Sequence, residues 1–82
     1  MSAPHLIYED GTILSPGDLY QTRWTGAPYI ERSMLIAEEK ATQKDHPYGS
    51  GAEVTMFYVM DIVTGKTMPF SSSHSITVNR ML

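Results

Sequence analysis

Cysteine is absent from the 82 residues, and with it every disulfide, thiolate nucleophile and thiolate metal site. A small extracellular domain usually relies on such cross-links, so the composition points to a reducing compartment and a cytoplasmic setting. Basic residues are also scarce. Six Lys and Arg stand against nine Asp and Glu, a formal charge of −3, and both signs are scattered along the chain. That balance lacks the footprint of a general nucleic-acid binder and is too mild for a DNA mimic. No window approaches the roughly 20 apolar residues of a membrane span. The opening segment, MSAPHLIYEDG, has no basic stretch followed by an apolar run of signal-peptide length. The expectation is a soluble protein that makes no membrane contact.

Catalytic spacing is missing as well. His5, His46 and His74 are too far apart in sequence to form a ligand pair, and no HExxH motif occurs. Asp45-His46 falls in a polar loop, where solvation is the ordinary role. His74 follows Ser71, Ser72 and Ser73 without the GxSxG elbow that would aim a serine at a base. Glu9-Asp10 and Glu38-Glu39 read as solvated charge rather than acid and base partners. Gly26, Gly49, Gly51 and Gly65 match neither a GxGxxG nor a P-loop pattern. No catalytic residue, metal ligand or cofactor is assigned, and the chain is expected to be non-enzymatic.

What is present is extended structure. From Glu53 to Phe70 the chain reads as a long strand, a glycine turn and a return strand. Val54, Met56, Tyr58, Met60 and Ile62 share one face at period two, and Thr55, Phe57, Val59 and Asp61 share the other. Both faces are at least half apolar, which predicts a central strand packed on each side. A chain of this length forms one domain, residues 1–82, and buries roughly 60 to 65% of its unfolded surface.

Turn chemistry places the other strands. Leu6-Ile7-Tyr8 and Thr12-Ile13-Leu14 flank a hairpin turn at Asp10-Gly11. Ser15-Pro16-Gly17-Asp18 is a second turn, of type II, and Leu19 to Trp24 resumes a strand that Thr25-Gly26-Ala27-Pro28 breaks. Val63-Thr64-Gly65-Lys66 joins the long strand to Thr67–Phe70, which Pro69 confines to an edge. Ser75 to Met81 supplies the last strand. Residues 29–43 admit two readings. Ile30, Met34, Ala37 and Ala41 recur at helical spacing, yet Met34 to Ala37 equally suits a buried strand. Thr42 to Ala52 has the Gly, Pro and polar density of a loop.

The order of these elements resembles an SH3-like small β-barrel. The matching residues are Pro16 to Tyr20, Arg23 to Gly26, the Asp61 to Lys66 hairpin, and the Ser-rich turn before the terminal strand. The resemblance implies an all-β fold of five or six short strands, with one helix at 29–43 if that reading holds. It also implies a binding module, as in small bacteriophage accessory proteins located in the host cytoplasm or the virion. With Trp24 as the single tryptophan, the paired tryptophans of a proline-peptide groove are missing, and no proline-ligand function carries over.

Aromatic residues near turns are the partner-binding candidates: Trp24, Tyr29, Tyr48, Tyr20 and Phe70. For Trp24 and Phe70 the competing role is simple core packing. Met34, Met56, Met60 and Met68 are gap-filling core or an adaptable surface. The expected function is docking of a protein partner, or self-association, through an aromatic patch or a free strand edge. The alternative is single-stranded nucleic-acid binding, with Arg23, Arg32, Lys66 and Arg80 joining Tyr20 and Trp24.

Overall fold

The computed structural model describes residues 3–42 and 53–81, and it is all-β. Six strands follow in chain order: β1 (Leu6–Tyr8), β2 (Leu19–Thr22), β3 (Glu31–Thr42), β4 (Glu53–Asp61), β5 (Thr67–Ser72) and β6 (Ile76–Val78). They form a four-stranded antiparallel sheet, β2-β3-β4-β5, and a two-stranded parallel sheet, β1-β6.

Local chemistry sets the turns. Gly11 takes a φ of 91° while its amide donates to the Tyr8 carbonyl, so the chain doubles back and Ile13 bridges Ile7. In the second turn the Asp18 amide donates to the Ser15 carbonyl at 3.0 Å, with Gly17 at a φ of 99°, the type II geometry read from Pro16-Gly17. That turn docks on β3, because Gly17 donates to the Leu35 carbonyl and Leu35 donates back to the Asp18 carbonyl. At the end of β4, Asp61 Oδ1 accepts from the Val63 and Thr64 amides, the self-bonding expected of an aspartate that opens a hairpin.

The two sheets meet over one core. Leu6, Tyr8 and Val78 from the small sheet pack with Tyr20, Leu35, Phe57 and Val59 from the large one, and Leu14 seals the connection. Thr55 fixes the chain before β1 across the large sheet by donating to the Pro4 carbonyl at 2.7 Å. Beside β1, Arg80 lies 4.1 Å above the Tyr8 ring and donates to Asp10 at 2.9 Å. The Thr12 amide, with the Thr12 side chain and Arg80 adding to it, holds the Asp10 carboxyl down at about 2.

Three of the sequence expectations are sharpened by the structure. Residues 31–42 are a strand and the helical alternative for 29–43 falls away. The helical spacing has a local cause. A bulge between Leu35 and Ala37 inserts Ile36, so Met34 pairs with Met60 while Ala37 pairs with Tyr58. One extra residue thereby turns a period-two face into a three-residue step. Second, β4 is central in its sheet but covered much less on one side than on the other. Thr55, Phe57 and Val59 are buried on one face, whereas on the other only Val54 is buried, Tyr58 is 37% exposed and Met56 and Met60 are half-buried. Third, among the described residues the pairings do not close into a barrel. A bridge from Gln21 to Asn79 links the sheets, and β5 ends the large sheet as an edge strand.

Candidate functional site

The small sheet covers only part of the inner face of β2-β3-β4-β5. Beyond Leu35 and Val59 that face continues, and cross-strand register assembles what it presents. Ser33 pairs with Asp61, Val59 with Met68, and Phe57 with Phe70, so side chains far apart in sequence become neighbours. The β2–β3 connection turns at Gly26, where the Ala27 amide donates to the Trp24 carbonyl, and delivers Trp24 and Tyr29 beside these residues.

The result is a groove of about 460 Å³. Trp24, Tyr29, Met68 and Phe70 line it with apolar surface, and Glu31 and Asp61 add two carboxylates. Trp24 meets Phe70 edge to face at a centroid distance of 6.1 Å. Phe70 in turn lies 5.3 Å from the fully buried Phe57, so the aromatic wall is anchored in the core. Tyr29 is 63% exposed and Met68 54%, which leaves the groove open to an approaching surface.

Glu31 is held in place from both sides. The Trp24 indole N–H donates to Oε2, and the buried Ser33 hydroxyl donates to Oε1 at 3.0 Å. Asp61 commits Oδ1 to the turn amides of Val63 and Thr64. Among the described residues no lysine, arginine or histidine lines the groove, and neither carboxylate forms an ion pair.

Of the five aromatic candidates, Trp24, Tyr29 and Phe70 are brought together. Tyr20 is not with them. It has no exposed surface and packs in the core, because β2 turns its even-numbered residues inward. Burial, with the Glu31 charge added, pushes its hydroxyl up to about 12, and the neighbouring Ser33 hydroxyl opposes the shift. The Tyr20 oxygen has no well-formed hydrogen bond among the described residues, the Ser33 hydroxyl offering it only a weak contact. Tyr48, like His46, lies outside the described residues. Arg80, grouped with Tyr20 and Trp24 in the nucleic-acid reading, is engaged by Asp10 and Tyr8 instead.

Glu31, Ser33, Asp61 and Met68 stand outside the set of five that the sequence singles out. Glu31 carries a usable signal, since it lies two residues beyond Tyr29 at the start of a strand and shares its parity with Ser33. The turn role of Asp61 accounts for only one of its oxygens.

Among the described residues no helix is long and apolar enough to cross a membrane, and no three His, Asp or Glu residues gather as a metal site. No protein-family model, curated protein or solved structure matches the chain.

Proposed function

We propose that the protein is a non-enzymatic interaction module that docks a protein partner in the groove between Trp24, Tyr29, Met68 and Phe70. One observation carries this reading: three aromatic side chains converge on an open cavity whose volume falls in the range of recognition sites. Tyr and Trp supply large contact area at low entropic cost, and a well-packed neighbour such as Phe57 keeps the wall rigid. The adjacent edge of β5 adds free backbone groups along which an extended segment aligns, although Pro69 removes one donor from that row. An SH3-like barrel ancestry, a cytoplasmic or virion setting and a role as a phage accessory factor belong to the same proposal, on the strength of the turn-and-strand resemblance.

Nucleic acid fits this groove less well. Stacking on Trp24 and Tyr29 suits bases, but Glu31 and Asp61 would face the phosphates that accompany them.

The test is affinity capture with the wild-type chain, Tyr29→Ala and Ile13→Ser, followed by a mobility assay with short single-stranded DNA and RNA. Ile13 is half exposed and lies on the β1 hairpin, so its variant controls for general surface change. A protein retained by wild type and Ile13→Ser but lost with Tyr29→Ala is the expected result. Equal retention by Tyr29→Ala would overturn the groove assignment, and a salt-sensitive nucleic-acid shift would move the function to the other class.

A further inference from the structure

The two carboxylates say what kind of side chain the groove takes. We infer that its occupant is a positively charged residue, a lysine or arginine presented by an extended protein segment, with the cation seated between the aromatic wall and Glu31 and Asp61. This rests on the docking reading above and narrows its ligand.

Charge complementarity carries the argument. An apolar groove selected only for greasy contact gains nothing from two acidic groups, which cost solvation whenever a partner covers them. Here both acids face the cavity, and no basic side chain among the described residues lines its walls. The charge of Glu31 is oriented rather than cancelled, since Trp24 and Ser33 donate to it as neutral groups. Asp61 keeps Oδ2 outside its turn hydrogen bonds, available to an incoming N–H. The surrounding rings reinforce the preference, because the faces of Trp, Tyr and Phe carry negative quadrupole potential that attracts ammonium and guanidinium groups. The aliphatic stem of a lysine or arginine then packs on Met68 and Phe70. The chain's formal charge of −3 favours the approach of a basic segment at longer range.

A bead-displayed random hexapeptide library separates this inference from the one beneath it. The wild-type chain is expected to enrich peptides with lysine or arginine at one position, and added salt should weaken their retention. Glu31→Gln and Asp61→Asn should each weaken a selected basic peptide about two- to fivefold. Both substitutions keep the size of the side chain, and in Glu31→Gln the carbonyl oxygen still accepts from the Trp24 indole while the new amide donates to the Ser33 hydroxyl oxygen instead of accepting from it. The carbonyl oxygen that Asp61→Asn leaves in place still accepts from the Val63 and Thr64 amides, so the fold is retained and an amide-proton spectrum verifies it. Tyr29→Ala should abolish enrichment. Peptides enriched without a basic residue would overturn the cation inference and leave the docking groove standing. No enrichment by the folded wild-type chain would remove both.

Discussion

Tyr20 shows how a single oxygen can set a residue's role. Its ring fills the centre of the core with no exposed surface, while its hydroxyl is buried with no well-formed hydrogen bond among the described residues and only a weak contact to the Ser33 hydroxyl. An unsatisfied buried polar group costs about 1–3 kcal/mol, and Tyr20→Phe removes it without opening a cavity. That variant should therefore be more stable by about 1 kcal/mol near neutral pH, a rise in melting temperature of roughly 4–8 °C for a domain of this size. The pH dependence follows from the same burial. The folded-state pKa is raised from 10.0 to about 12, so the proton is held more tightly in the native state. The associated stability is complete below pH 10 and is lost as pH rises toward 12. Melting curves from about pH 8 to 12 should show the gap between Tyr20→Phe and wild type widening above about pH 10, by about 2 kcal/mol at the upper end. Tyr8, whose pKa is also raised, titrates in both proteins and leaves the difference intact. A constant gap would mean that the Tyr20 hydroxyl reaches water or a partner.

Between elements, the docking of the Pro16-Gly17 turn on Leu35 decides where β2 enters the sheet and where β3 bulges. Gly17 sits at a φ of 99°, and a Cβ there would meet nothing within 4 Å. The cost of Gly17→Ala is thus one of backbone conformation alone, about 1–2 kcal/mol. Urea unfolding should register it as a lower midpoint at unchanged slope. A neutral result would show that the turn adopts another form without loosening β3. Such turns are legible in the sequence because Pro, Gly and Asp fix dihedrals within four residues. Segment 31–42 is not legible as a strand alone, since the Ile36 bulge shifts Met34 and Ala37 onto one face and imitates a helix. The parallel pairing of β1 with β6 joins Leu6 to Ile76, at opposite ends of the chain, and leaves no local trace. The groove is half legible for the same reason. Its aromatics can be chosen one by one, but the opposition of Ser33 to Asp61 and of Val59 to Met68 exists only through register.

At the scale of the whole molecule, both sheets depend on one core. Leu6 of β1 and Phe57 of β4 are fully buried in a single cluster, so neither sheet has an apolar interior of its own. A domain of this length has a net stability of about 4–12 kcal/mol. Leu6→Ala should remove about 2–5 kcal/mol of it and Phe57→Ala about 3–5 kcal/mol. If the core is shared, Leu6→Ala reaches the groove although Leu6 does not line it. Trp24 is the single tryptophan and sits on the groove wall, so its fluorescence reports the large sheet without a label. Amide-proton signals of Ile76 and Val78 report the small one. In wild type and in Leu6→Ala the two probes should give one coincident transition, displaced together to lower denaturant in the variant. Should Leu6→Ala displace the Ile76 and Val78 signals and leave the Trp24 transition where it was, the sheets would be separable units. The groove would then owe its rigidity to Phe57 and its neighbours on β4 and β5 alone.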